Sequence, residues 1–242
     1  MNDHQLAARL ATQAGRLLLE VREELSTSSE SDRKAAGDKR SHDLLMAELA
    51  VARPDDAVLS EEGADSPVRL GCERVWIIDP LDGTREFSEL GRDDWAVHVA
   101  LWQRGELTAG AVALPARDIT LCTPTVSAPP TYDGAPRIAV SRSRPPAVAE
   151  AVRDRLGGVL VPMGSAGVKV AAVIGGAADV YVHAGGQYEW DSAAPVAVAR
   201  AAGLHTSRID GSPLVYNGSN PLLPDLLVCR PEYAQAALAA IA

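Results

Sequence analysis

The sequence predicts an α/β protein with an α+β N-terminal half, residues 1–135, and an α/β C-terminal half, residues 136–242. Three observations support this prediction. Apolar residues at helical spacing open the chain, and five short apolar runs of strand length follow them. A proline-rich segment, 123–136, then interrupts the pattern and marks the expected domain boundary. Beyond it strands and helices alternate, which is typical of α/β layers.

The N-terminal half is expected to begin with a helix at residues 4–25, because its apolar side chains recur every three or four positions. The polar segment 32–40 contains Gly37 and is predicted to be a surface loop. A second helix is expected at residues 44–52 and ends before Pro54. The strands of one sheet are expected at residues 58–60, 75–78, 96–102, 107–113 and 119–122.

The C-terminal half continues with alternating strands and helices around a hairpin-like stretch near Gly211. Its strands are expected at residues 138–140, 159–162, 178–183 and 226–229. Its helices are expected at residues 146–156, 167–175 and 192–202 and from residue 232 onward.

The composition limits the possible partners. Of 242 residues, 47% are apolar, which is enough for a sizeable core. The formal net charge is −9, so the chain has no general attraction for nucleic-acid polymers or anionic lipid. An anionic substrate would therefore need metal ions or a local cationic pocket at its binding site.

The cysteines and the chain start point to a reducing compartment. The three cysteines, Cys72, Cys122 and Cys229, form no Cys-x-x-Cys pair, so neither a disulfide framework nor a thiolate zinc site is expected. Residues 1–10 are too polar for a signal peptide, and no apolar run is long enough to span a membrane. A cytoplasmic location without a membrane partner is expected.

Acidic residues stand beside several predicted elements. The central group, Asp79-Pro80-Leu81-Asp82-Gly83-Thr84, follows the apolar strand 75–78. A carboxylate there loses hydration, which is unfavourable unless it is paired or metal-bound. Because Pro80 forces a turn, both aspartates and the Leu81 carbonyl are expected to converge as hard oxygen ligands for Mg²⁺ or Mn²⁺. The amides of Gly83 and Thr84 are then free to bind phosphate oxygens.

Each acidic motif also has an ordinary structural explanation. Asp-Pro and Asp-Gly are common turn dipeptides, and Asp82 or Asp191 alone is compatible with a helix cap. Glu61-Glu62 and Asp38, taken singly, are typical of solvated loops. These alternatives stay open for each motif considered by itself.

The combination resembles a known superfamily, the lithium-sensitive, Mg²⁺-dependent phosphomonoesterases, which include inositol monophosphatases, fructose bisphosphatases and bisphosphate nucleotidases. Their signature is an Asp, then Glu-Glu, then Asp-Pro-(Ile/Leu)-Asp-Gly-Thr, then Trp-Asp followed by small residues. Here it stands as Asp38, Glu61-Glu62, Asp79 to Thr84, and Trp190-Asp191-Ser192-Ala193. The resemblance implies a layered α-β-α-β-α sandwich.

Two further motifs are similar to the CysQ-type branch of this superfamily. Arg85-Glu86-Phe87 is similar to its Lys-Glu-Phe, and Val140-Ser141-Arg142-Ser143 resembles its Val-Ser-Arg-Ser. This branch consists of 3′(2′),5′-bisphosphate nucleotidases, which remove the 3′-phosphate from 3′-phosphoadenosine 5′-phosphate, a by-product of sulfate activation. The resemblance therefore implies a small phosphorylated nucleotide as substrate, and it leaves a monomer or a homodimer open.

The resemblance also implies the site. Two or three Mg²⁺ ions are expected, with Mn²⁺ as a possible substitute and Li⁺ as an inhibitor. The implied metal ligands are Glu61, Asp79, the Leu81 carbonyl, Asp82 and Asp191. Thr84, oriented by Asp38, would activate the attacking water together with Glu61. The implied substrate contacts are Gly83, Thr84, Ser141, Arg142, Ser165 and Lys169.

Several alternatives remain at this point. Asp43 competes with Asp38 as the acid that orients Thr84, and segment 32–40 is expected to be mobile and to close over substrate. An inositol-1-phosphate or fructose-1,6-bisphosphate phosphatase is the rival of the same chemistry. A non-catalytic metal or nucleotide sensor is the rival of another class.

Overall fold

The computed structural model describes residues 1–143 and 145–241, which form ten strands and seven α-helices. The strands are β1 (Ala57–Ser60), β2 (Arg74–Asp82), β3 (Ala96–Gln103), β4 (Glu106–Leu114), β5 (Ile119–Cys122), β6 (Arg137–Ser141), β7 (Val159–Met163), β8 (Val180–Ala184), β9 (His205–Ser207) and β10 (Asp225–Cys229). The helices are α1 (Asp3–Glu24), α2 (Glu30–Ala52), α3 (Thr84–Ser88), α4 (Ala147–Leu156), α5 (Ala166–Ile174), α6 (Glu189–Ala201) and α7 (Pro231–Ile241).

The first sheet has the strand order β1-β2-β3-β4-β5. Strand β1 runs parallel to β2, and the other neighbours are antiparallel. Strand β2 is longer than predicted, because pairing with β3 continues past Asp79 to Asp82. The register shifts between these two aspartates, so Pro80 and Leu81 bulge out of the ladder. Both acids are thereby fixed on a paired strand.

The second sheet has the order β7-β6-β8-β10-β9. Strand β6 is parallel to β7 and β8, whereas β10 is antiparallel to both β8 and β9. The expected turn near Gly211 is present, where its N–H donates to the Arg208 carbonyl in the segment between β9 and β10. The predicted boundary segment 123–136 separates the strands of the two sheets. A division into two domains stays a prediction.

The helices form three layers around the two sheets. Helices α1 and α2 cover the outer face of the first sheet, and α4 and α7 cover the outer face of the second. Helices α5 and α6 lie between the sheets within a shared apolar core. Helix α6 packs closely against β4 of the first sheet, since a Cβ added to Gly110 of β4 would lie 2.6 Å from the Ala197 Cβ of α6. The α-β-α-β-α sandwich is therefore confirmed.

The prediction of a surface loop at residues 32–40 is wrong. The segment is helical and belongs to α2, which begins after Ser29, whose side chain accepts a hydrogen bond from the Asp32 N–H. Arg33 is buried and donates to the carbonyls of Leu25, Ser28 and Ser88. The bond to Ser88 joins α2 to a distant part of the chain, and together these contacts hold Arg33 in the helix despite the polar local sequence. The hypothesis of a mobile loop that closes over substrate therefore loses its structural basis.

The other predicted elements are present with bounds shifted by a few residues. The predicted second helix, 44–52, is the C-terminal part of α2, and α6 begins at Glu189, three residues before the predicted start. Across residues 1–143 and 145–241, no helix combines the length and apolar character needed to cross a bilayer.

Candidate active site

Three carboxylates meet at the end of β2. Oxygen atoms of Asp79, Asp82 and Asp191 lie within 4.8 Å of one another. The first two come from β2, and Asp191 comes from the first turn of α6. The sequence separates Asp191 from the other two by more than a hundred residues, and the packing of α6 against the first sheet brings them together. Asp191 is the third residue of α6 and accepts a hydrogen bond from the Tyr188 N–H, so it is not the N-cap residue that the sequence suggested, although it does help to cap the helix.

Asp82 lies at the N-terminus of α5. Its carboxylate accepts hydrogen bonds from the Ser165 hydroxyl at 2.5 Å, the Ala166 N–H at 3.2 Å and the Gly167 N–H at 2.7 Å. Burial by itself raises the pKa of this carboxyl, but His98 and these donors outweigh it and hold the pKa at about 2. Asp82 is therefore an ionised, tightly oriented carboxylate.

His98 of β3 is fully buried beside both aspartates of β2. Its Nε2 lies 3.1 Å from an Asp82 oxygen, off the line of a well-directed hydrogen bond, and its Nδ1 lies 3.1 Å from the Trp190 carbonyl. Burial opposes protonation, yet the negative charge of Asp82 raises the pKa of His98. The imidazole therefore links the β2 acids to the backbone beside Asp191.

The remaining acids repel one another. Burial, followed by the charges of Glu61, Asp82 and Asp191, raises the pKa of Asp79 well above its usual range. Burial of the carboxyl and the neighbouring acids raise the pKa of Glu61 to about 7, although the residue as a whole is exposed. Burial and Asp82 raise the pKa of Asp191 to about 6. The cluster is thus short of positive charge.

Thr84 connects the acidic cluster to α2. Its hydroxyl lies 3.3 Å from an Asp38 oxygen and 3.2 Å from the Leu81 carbonyl. Burial and the charge of Glu62 raise the pKa of Asp38 to about 6. Asp43 instead lies exposed and pairs with Lys39, so Asp38 is the acid of this helix that faces the site.

Gly83 turns the chain from β2 into α3. Its φ of 86° lies in the left-handed region, which favours glycine. A Cβ here would lie 3.2 Å from the Ser165 Cβ. The predicted phosphate-binding residues Gly83 and Thr84 therefore lie against the α5 turn and beside the acidic cluster.

The other predicted substrate contacts have partners within the protein. Arg142 pairs with Glu86 at 2.9 Å and with Glu89 at 3.2 Å. Ser141, which precedes Arg142 in the sequence, is the last residue of β6. Ser165 donates to Asp82, and Lys169 is buried and donates to two backbone carbonyls.

Comparison with known proteins shows the family of this chain. A family model described as the inositol monophosphatase family matches residues 3–242. The chain belongs to the inositol monophosphatase family. A Mycobacterium bovis protein named 3′-phosphoadenosine 5′-phosphate phosphatase is 56% identical over 238 residues, which cover 95% of this chain and 89% of that protein. The Escherichia coli 3′(2′),5′-bisphosphate nucleotidase CysQ is 30% identical and covers 86% of this chain and 91% of its own.

The same fold occurs in a solved structure of inositol monophosphatase II from Staphylococcus aureus. Its TM-score is 0.84 at 20% sequence identity, and the match covers 100% of this chain and 94% of that one. This likeness confirms that the chain has the inositol monophosphatase fold.

The donor set of this inositol monophosphatase family member suits divalent cations. Carboxylate and carbonyl oxygens are the ligands that Mg²⁺ and Mn²⁺ prefer. Three converging carboxylates, two of them buried, repel one another unless protons or cations neutralise them. The residues present therefore fit the metal dependence of the family.

The sequence did not predict a site role for His98, whose place in the apolar strand 96–102 is typical of a core residue. It is indeed buried, but its ring touches Asp82. The available signal was its position in an apolar strand predicted to neighbour the aspartate-bearing strand. Only the register, which sets His98 opposite Asp79, turns that position into a contact.

Proposed function

We propose that this protein hydrolyses the 3′-phosphate of 3′-phosphoadenosine 5′-phosphate to give AMP and phosphate, with divalent cations bound at the end of β2. The observation that carries the proposal is the convergence of Asp79, Asp82 and Asp191 beside Gly83 and Thr84. The nucleotide is favoured because the Mycobacterium bovis relative that bears this activity in its name is 56% identical over nearly the whole chain.

Five residues are proposed as ligands for two or three Mg²⁺ ions. Glu61, Asp79 and the Leu81 carbonyl would hold one ion, and Asp79, Asp82 and Asp191 would hold another. Cations bound there would neutralise charge on the phosphate and would lower the pKa of a water bound to them. The proximity of Glu61 to Asp79 and the 4.8 Å cluster support this assignment.

Thr84 and Asp38 are proposed to handle the proton of the attacking water. The Thr84 hydroxyl donates to Asp38, so its oxygen is free to accept a hydrogen bond from a water and orient it. With a pKa of about 6, Asp38 is ionised at neutral pH and able to accept a proton. The water oxygen bonds to phosphorus as the bond to the ribose 3′-oxygen breaks, and the ribose oxygen takes up a proton from solvent.

The amides of Gly83 and Thr84 are proposed to bind the scissile phosphate. Ser141 and Arg142 stay candidates for the second phosphate of the nucleotide. Arg142 is part-exposed, and an anionic substrate would compete with Glu86 and Glu89 for its guanidinium. A cytoplasmic role in sulfate assimilation is part of the same proposal.

The test is phosphate release with Mg²⁺, in the presence and absence of Li⁺, from 3′-phosphoadenosine 5′-phosphate, inositol 1-phosphate and fructose 1,6-bisphosphate. We expect the nucleotide to have the highest kcat/KM and Li⁺ to inhibit its hydrolysis. A higher kcat/KM for either of the other two would overturn the substrate assignment and leave the metal chemistry in place. No release from any of the three would favour a sensor.

A further inference from the structure

Lys169 is a buried cation whose surroundings are supplied by the protein itself. The residue is 5% exposed on α5, and its Nζ donates to the Ser165 carbonyl at 2.6 Å and to the Gly164 carbonyl at 3.2 Å. The ring of Tyr181 lies 5.3 Å from the ammonium, within the range of a cation–π contact. Two carbonyls and one aromatic face thus surround an ammonium that has three donors.

Those carbonyls belong to a turn in an unfavourable conformation. Ser165 has φ 48° and ψ 139°, a combination that side-chain-bearing residues rarely adopt. Such a conformation persists only where neighbouring groups hold it in place. Gly164 is fixed from the opposite side, since its N–H donates to an Asp94 oxygen at 2.7 Å.

The turn at Gly164 and Ser165 also orients Asp82. The Ser165 hydroxyl donates to the Asp82 carboxylate and accepts from the Val168 N–H at 3.1 Å. The amides of Ala166 and Gly167 donate to the same carboxylate. A continuous path of contacts therefore runs from the Lys169 ammonium through the turn to a proposed metal ligand.

We propose that Lys169 is a positioning residue that holds the 164–165 turn and thereby fixes Asp82 for cation binding. Ser165 acts in the same path and does not need to touch substrate. The inference rests on the metal site of the proposed function. It differs from the substrate contacts that family resemblance implies for both residues, because here their donors are directed at backbone carbonyls and at Asp82.

The experiment compares Lys169→Met and Ser165→Ala with Lys39→Met as the matched control. Lys39 lies on the surface and pairs only with Asp43 among the residues for which an ion pair is described. The first readout is the rise in melting temperature with Mg²⁺ concentration, without substrate. The second is the Mg²⁺ concentration for half-maximal hydrolysis of 3′-phosphoadenosine 5′-phosphate and of adenosine 3′-phosphate, which lacks the second phosphate.

A residue that orients a metal ligand changes metal affinity by about 10-fold to 100-fold when it is removed. We expect Lys169→Met to raise both Mg²⁺ midpoints by about that factor. The factor should be equal for the two nucleotides, and KM at saturating Mg²⁺ should stay near the wild-type value. Ser165→Ala should act in the same direction, whereas Lys39→Met should leave every quantity unchanged.

Unchanged Mg²⁺ midpoints, together with a raised KM for the bisphosphate alone, would overturn the proposal and assign Lys169 to the second phosphate. If Lys169→Met does not fold, Ser165→Ala becomes the deciding variant. An unaltered Mg²⁺ midpoint in Ser165→Ala would contradict the proposal that the 164–165 turn fixes Asp82 for cation binding. If the wild type hydrolyses neither nucleotide, the proposed substrate fails, but the substrate-free melting curves still test the positioning role.

Discussion

Asp79 and Asp82 are three residues apart, yet their surroundings shift their pKa values in opposite directions. Asp82 receives donors from α5 and faces His98, so its pKa falls to about 2. Asp79 is equally buried but is surrounded by Glu61, Asp82 and Asp191, so its pKa rises. Residue type alone therefore does not determine the charge state of these acids. The contact partners do.

Replacing Asp79 tests the acidic cluster. We expect Asp79→Asn to abolish turnover and to reduce the Mg²⁺-dependent rise in melting temperature. The melting temperature without metal should increase, because a buried, repelled acid becomes a neutral amide of similar size. Phosphate release and melting curves with and without Mg²⁺ measure these effects.

Asp43→Asn is the matched control for Asp79→Asn, since Asp43 is exposed and its salt bridge with Lys39 contributes little. We expect activity and Mg²⁺ response to stay at wild-type levels in this variant. Normal turnover in Asp79→Asn would be incompatible with the proposed metal ligands.

Helix α2 shows how an element depends on tertiary contact. Its N-terminal part is polar and contains Gly37, a poor helix former. The glycine is needed because a Cβ at this position would lie 2.7 Å from the Phe87 ring and 2.9 Å from a methyl of Leu81. The close approach places the adjacent Asp38 within reach of Thr84.

We expect Gly37→Ala to destabilise the protein by up to about 2 kcal/mol, since overpacking costs about 1–3 kcal/mol and better helix propensity returns ~1 kcal/mol. Activity should also fall, because any displacement of α2 moves Asp38 away from Thr84. Gly71→Ala is the control, as a Cβ there meets nothing within 4 Å. A higher melting temperature of Gly37→Ala would contradict the packing argument.

At the scale of the whole molecule, a buried polar network joins the two halves beside the site. Arg69, which lies between β1 and β2, is 1% exposed and binds Asp65, Asn217 and the Gly218 carbonyl. Glu189, at the start of α6, accepts from the N–H groups of Asn217 and Gly218. The network therefore ties the helix that carries Asp191 to the segment that follows Glu61.

Arg69→Met should lower the free energy of unfolding by about 1–3 kcal/mol, because it leaves the part-buried acceptors of Asn217 and Gly218 without their donor. Arg104→Met is the control, since Arg104 and Glu73 form a salt bridge in which both side chains are about two-thirds exposed, 68% and 67%. Urea denaturation measures the difference. Equal stability of the two variants would show that the network does not join the halves.

The pH dependence of stability is a further property of the whole molecule. The pKa values of Glu61 and Asp191, about 7 and about 6, lie above the values of 4.5 and 3.8 expected of free groups. At pH values between the free and the folded-state pKa of each acid, the folded protein binds more protons than the unfolded chain. The free energy of unfolding without metal should therefore fall as pH rises from about 5 to 8. Mg²⁺ needs the ionised acids, so its stabilising effect should grow over the same range.

Melting curves at pH 5, 6, 7 and 8, with and without Mg²⁺, measure both trends. Each kcal/mol corresponds to about 2–4 °C for a chain of this size. A metal-free protein that becomes more stable between pH 5 and pH 8 would contradict the repulsion described for the acidic cluster.

The sequence by itself determined most of the order of strands and helices, the layered fold through its motifs, and the aspartates that converge at the end of β2. Apolar periodicity and short motifs are local properties, so they can be recognised in the sequence alone. Only the tertiary structure decided that residues 32–40 are helical, that His98 touches Asp82, and that Lys169 faces backbone carbonyls. The helical segment 32–40 and the contact of His98 depend on residues from other parts of the chain, whereas Lys169 folds back on the turn that precedes its own helix. In each case burial and hydrogen bonding outweigh the small propensities of single residues.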